Sequence, residues 1–161
     1  MHVLAGQSDA FIQHPDAVQT RLCVTSDHAT LGMDLVAHGH GGVCVPSTLG
    51  YQPGTPLQVR VSLEGRELRY HGLVMWRRSR RQAFELGLGF ATDDAAFRAR
   101  MIEQLCHIEA YRQRALAAGR ALEFERAAEE WIARYSEEFP QIGGCCDSMP
   151  GRQPQPAVAV S

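Results

Sequence analysis

Leu57, Val59, Val61 and Leu63 alternate without a break with Gln58, Arg60 and Ser62. Successive side chains of a strand point to opposite faces, so this stretch commits the chain to a sheet with one apolar and one wet face. Glu64-Gly65-Arg66 turns the chain, and two more strands follow, from Glu67 to Arg77 and from Ala83 to Ala91. In the second of these, Gly87 and Gly89 alternate with Leu86, Leu88 and Phe90, which places two positions without side chains on one face and marks a barrel corner or a close backbone approach. Upstream, Leu22 and Val24, then Leu31, Met33 and Leu35, flank the turn residues Ser26-Asp27-His28 and predict a first hairpin. Val43 and Val45 make a short strand closed by Pro46, and Gln52-Pro53-Gly54 turns into the long alternation. The expectation is a mainly β fold, a six- to seven-stranded antiparallel β-barrel followed by two α-helices.

At Thr92 the apolar period changes from two to 3.6. Thr92, Asp93 or Asp94 caps a helix whose stripe is Phe97, Met101, Leu105, Ile108, Arg112 and Leu116, ending before Gly119. A second helix runs from about Glu123 to Glu138 with Phe124, Ala127 or Ala128, Trp131 and Tyr135 on one stripe, and stops near Phe139-Pro140. Each amphipathic helix must bury its face against the barrel, against the other helix or against a second protomer, so a homo-oligomer formed through these helices is one outcome. Residues 1–18 read as an N-terminal arm because Gln13-His14-Pro15-Asp16 is turn chemistry. Residues 19–92 form the barrel, 93–140 the helices packed on it, and 141–161, rich in glycine and proline, a disordered tail.

A chain of 161 residues with 45% hydrophobic and 21% charged residues is sized for one domain with its own core. A net charge of -2 excludes nucleic acid as a default partner, since duplex binding needs a basic surface. No run approaches the roughly 20 apolar residues that span a bilayer, and Met1-His2-Val3 lacks a cationic start, so a cytoplasmic protein without membrane contact is expected. Five cysteines without C-x-x-C spacing fit reduced thiols.

The order of strands and turns, with Leu73-Val74-Met75-Trp76 and Leu86-Gly87-Leu88-Gly89-Phe90 as its last two strands, resembles the PilZ domain, a bacterial receptor module for cyclic di-GMP. Phe97-Arg98-Ala99-Arg100-Met101, Glu103 to Glu109 and Ala127 to Ile132 resemble a PilZ subfamily with two helices after the barrel, and the likeness covers about residues 11 to 140. The resemblance implies two ligand elements. One is R-x-x-x-R in the arm, whose guanidinium groups clamp phosphate and stack on guanine. The other is D/N-x-S-x-x-G on the barrel, which hydrogen-bonds a guanine edge. Here the arm has Gln13 and Ala17 at the arginine spacing, and the barrel motif has Ala37 for the acid or amide, Gly39 for the serine and Gly42 retained. Four of the five signature positions lack the required chemistry.

The resemblance therefore implies a non-catalytic adaptor in cyclic di-GMP signalling that acts by protein contact, with weak or no nucleotide binding and no resident cofactor. Its partner would be a signalling or motility protein: a sensor kinase, a response regulator, a chemotaxis methyltransferase or a pilus assembly protein. Two rivals stand beside it. One is a working cyclic di-GMP receptor with His14, Arg21, His38 and His40 as substitute ligands; the other is a metal-responsive module built on His38, His40 and Cys44, whose imidazoles and thiolate suit zinc, copper or nickel. The simpler reading of those three is a glycine-rich loop with its histidines in solvent, because a structural zinc wants a fourth ligand. Cys145-Cys146 falls in the tail. Arg77, Arg78, Arg80 and Arg81 read as a solvated hairpin tip, and His107, four residues after Glu103, as a satisfied interface histidine. Arg112 and Trp131 on the helices are the candidate partner contacts. No G-x-S-x-G elbow, P-loop or H-E-x-x-H motif is present, so no catalytic arrangement emerges.

Overall fold

In the computed structural model, residues 11–25 and 41–142 are described. The alternating stretch forms β4 (Pro56–Leu63), with Leu57, Val59, Val61 and Leu63 all turned inward. A two-residue turn at Glu64-Gly65, both at positive φ, folds β5 (Arg66–Arg80) back along it. β6 (Ala83–Gly89) pairs antiparallel with β5, and β3 (Gly42–Ser47) pairs antiparallel with β6. β3 continues past the expected stop at Pro46 to Ser47. β2 (Thr20–Val24) pairs with β4 at one edge, and β1 (Phe11–Gln13) with β3 at the other.

The strand order is β1-β3-β6-β5-β4-β2, a six-stranded mixed sheet with β1 and β2 as its two ends. One expectation is corrected. The sheet is not wholly antiparallel, because β1 runs parallel to β3: the chain crosses to the far edge as β2 before it returns, so β1 and β3 enter the sheet from the same end. Within the arm, 11–13 is a strand, because Phe11 and Ile12 are buried and carry the β1 ladder. Pairing between β1 and β2, which would close a barrel, is absent among the described residues. The second strand of the first hairpin, over Leu31 to Leu35, and the tail from 143 lie outside the described residues.

Two glycines mark close approaches. A Cβ at Gly42 would occupy the space of the Leu88 carbonyl and press on the Phe11 ring, so the β1–β3–β6 junction admits no side chain there. Gly87 lies under the Trp76 indole, beside the β5 irregularity between Val74 and Trp76.

Helix α1 (Asp93–Ala117) starts where expected, with Thr92 Oγ1 accepting from the Ala95 amide at 3.1 Å. It ends where Arg120 N–H reaches the Ala115 carbonyl across left-handed Gly119. Its buried face shares Ile108 and the partly buried Leu105 with the expected stripe but otherwise differs from it. Ala96, Ala99, Ile102, Glu103, Cys106 and Ala110 face the sheet, whereas Phe97 is 64% exposed and Met101 41%. Small side chains bring the helix backbone close to the strands, so that face, not the one with the largest apolar groups, docks. Helix α2 (Phe124–Tyr135) buries Ala127 and Trp131 against α1. Arg100 then bonds the Pro140 carbonyl and covers the Phe139 ring, which pins the chain after α2. No described helix is long and apolar enough to cross a membrane.

Candidate functional site

The arm, the β3 edge, the β5–β6 hairpin and the last turns of α1 enclose a cleft of about 620 Å3. A second cleft of about 450 Å3, between the β2 edge and the segment leaving β3, shares Asp16, Pro46 and Ala83 with it. Gln13 and Ala17, at the two arginine positions of the resemblance, both line the larger cleft and are exposed. Arg80 comes in from the hairpin and Arg114 from α1.

The floor is polar and satisfied. Cys44 Sγ donates to Glu85 Oε1 at 2.6 Å, while Arg78 and Arg80 reach Glu85 Oε2 at 2.8 and 2.6 Å. Burial alone would raise the Glu85 pKa, but the Cys44 bond and the two arginines hold it below the usual carboxylate value. Burial and then the Glu85 hydrogen bond and charge push the Cys44 thiol far up, so it stays protonated. The hairpin tip is exposed from Arg77 to Gln82, as expected, while Arg78 and Arg80 pair with Glu85 and Arg77 bonds the Gly50 carbonyl.

Behind the cleft the arm is fastened to α1. His14 is buried, with Nδ1 at 2.8 and 3.0 Å from the two Glu103 oxygens and Nε2 at 2.6 Å from the Val18 carbonyl. Tyr70 of β5 donates its hydroxyl to Glu103 Oε1 at 2.7 Å. One turn on, His107 Nε2 donates to the Gln13 carbonyl at 2.8 Å, and its ring packs on Trp131 and Phe139. Burial lowers the His107 pKa despite that bond, leaving the ring neutral.

These contacts revise the candidate list. His14 is not a substitute ligand, because both of its nitrogens are spent inside the protein. Arg21 sits on β2 opposite Arg60 and lines neither cleft, since Thr20 and Leu22 on the other face of the strand do so. Ala37, His38, Gly39 and His40 lie outside the described residues. Gly42 is needed for strand packing, as shown above. Trp131 is 3% exposed and anchors α2, so it offers a partner no surface, and Arg112 is held by Glu109 and Glu64. Arg80 and Arg114 were not legible as a pair: one belongs to a hairpin run and the other to a helix rim, 34 positions apart by number.

His14, Glu103 and Cys106 bring donor atoms within 4.8 Å of one another. Two ligands of one tetrahedral zinc lie about 3.3 Å apart given zinc–ligand bonds near 2 Å. At 2.8 Å His14 and Glu103 are closer than two ligands of one zinc and are joined as a hydrogen-bonded pair.

No family model, curated protein or solved structure matches this chain.

Proposed function

We propose that this protein is a PilZ-like, non-catalytic adaptor that acts by protein contact and binds cyclic di-GMP weakly or not at all. One observation carries the reading: the cleft flanked by the arm presents Gln13 and Ala17 where the resemblance calls for a pair of arginines, and the adjacent His14 is turned inward to Glu103. Each charge-assisted hydrogen bond to phosphate is worth roughly 1.5–3 kcal/mol, so two missing arginines lower affinity by at least about a hundredfold. The exposed Phe97 and Met101 on the outer face of α1 support action through contact, because they leave apolar surface uncovered among the described residues. Partners of the expected kind are signalling or motility proteins.

Calorimetric titration with cyclic di-GMP tests the reading. No sub-micromolar binding is expected from the natural chain, and such binding overturns the proposal. Combining Gln13→Arg, Ala17→Arg, Ala37→Asp and Gly39→Ser should raise affinity if only side chains are missing.

A second reading, a receptor with substitute groups, is favoured by Arg80 and Arg114 on the same cleft. If the natural chain binds and Arg114→Ala abolishes it, this reading replaces the first.

A further inference from the structure

Two of the bonds between the arm and α1 have different proton requirements. His107 Nε2 donates to a backbone carbonyl, which a neutral ring does. His14 is different. Its Nε2 faces the Val18 carbonyl, an acceptor only, so that nitrogen carries a hydrogen. Its Nδ1 faces both Glu103 oxygens at 2.8 and 3.0 Å, so a second proton lies between them, and on the ring it makes a charge-assisted bond to the carboxylate. Both side chains are fully buried. If that proton leaves to solvent, the Nδ1 lone pair is left facing a carboxylate with no water to separate them, and a buried charge loses its partner.

We propose that the His14–Glu103 pair is a proton-dependent latch: the shared proton fastens the arm to α1 and keeps one wall of the cleft in place, and its loss releases the arm. The inference does not depend on what the cleft binds. The arm held in this way is the β1 ladder on β3 and the Pro15–Val18 turn, closed by the His14 amide on the Cys44 carbonyl at 2.9 Å and the Val18 amide on the Pro15 carbonyl at 3.2 Å. His14 and Glu103 are positioning residues, because they touch the arm and the helix rather than a ligand.

The groups around the ring leave the pair to titrate by itself. From β5, Tyr70 is driven well above its ordinary value by burial and Glu103 and stays a neutral hydroxyl. From α1, Cys106 is likewise driven up and His107 down, so both are uncharged. From the arm, Asp16 adds a negative charge. Burial works against a charged His14, but the Glu103 bond and charge, the Val18 carbonyl and Asp16 outweigh it, and the pKa is raised above 6.5. A raised value means that the contribution is present below the ordinary histidine range and is lost as pH climbs through the folded value. The latch opens on the alkaline side.

The test uses the full chain labelled with 15N. Two-bond imidazole spectra from about pH 5.5 to about pH 9.5 read the His14 nitrogens across the histidine range, and amide hydrogen exchange reads the arm. Both nitrogens should be protonated at the acid end. Loss of one proton should coincide with at least about tenfold lower protection of the His14 and Val18 amides, taken against each amide's intrinsic rate at that pH, with protection in β4 and β5 unchanged. A ring singly protonated throughout, or arm exchange that ignores the ring's titration, overturns the proposal. In Glu103→Gln the amide can donate to the bare Nδ1 and needs no shared proton, so the arm should stay protected at every pH, and an alkaline release that persists in this variant overturns the proposal. If that variant does not fold, Tyr70→Phe keeps the pair but removes a donor to the carboxylate, so the midpoint should rise; an unmoved or lower midpoint is the overturning result.

Discussion

The β4–β5–β6 meander and the arm–α1 joint solve one problem, closing the core, with opposite chemistry. The meander is sealed by Leu57, Val59, Val61, Leu86 and Leu88, each fully or almost fully buried, with long antiparallel ladders on both sides. The joint is sealed by three residues of parallel strand and by His14, Glu103 and Tyr70, polar groups that satisfy one another. Apolar packing loses stability in proportion to what is removed. A buried polar network instead fails when one member is taken away, because the rest are left unpaired. The meander should therefore be graded in its response to change and the joint close to all-or-none.

The largest effect is expected at the seam between the two regions. Gly42→Ala drives a methyl into the Leu88 carbonyl, so a loss above about 4 kcal/mol, seen as little soluble protein or a collapsed thermal transition, is expected. A normal melt would mean that β3 can move off β6 and that the seam is soft. Next, Glu103→Ala strands His14 and should cost roughly 3–5 kcal/mol in urea unfolding, whereas replacing the pair together by His14→Leu and Glu103→Met should recover much of that. Additive single and double variants would erase the contrast drawn above. Third, stability should decline by up to about 1.4 kcal/mol per pH unit as pH passes the raised His14 value, and Glu103→Gln should flatten that decline. Smallest of all, Phe97→Ser should stay within about 0.5 kcal/mol of the natural chain, while Trp131→Ala should lose roughly 3–5 kcal/mol. Equal losses would restore the Phe97 stripe as the docking face.

The sequence showed the meander and hid the joint for physical reasons. Leu57 to Leu63 alternate because one sheet face is wet, and that period survives in the bare string, as does the Thr92 cap with its short polar side chain before a helical run. β1 is three residues long, too short to display a period, and His14-Pro15 directly after it reads as the start of a turn. On α1 the large Phe97 and Met101 drew attention to the wrong face. The face that docks is lined by alanines and a cysteine, with Glu103 at its centre, and a buried glutamate cannot be told from a solvated one until its partner 89 residues away is in place. The cleft was half legible. Gln13 and Ala17 were placed by the resemblance and do line it, whereas Arg80 and Arg114 meet there only through the fold.

The separation between His14 and its partner also sets a timetable for synthesis. Translation adds about 5–20 residues per second, so the 89 residues from His14 to Glu103 occupy roughly 4–18 s during which the arm has been made and its socket has not. Ile12 spends that interval without His107 of α1 beside it, and the β1 ladder cannot form until Gly42 to Cys44 have followed. The segment made early is among the last to be seated, which exposes a nascent chain to capture by other apolar surfaces at its N-terminal side and makes completion of α1 the event that ends that exposure.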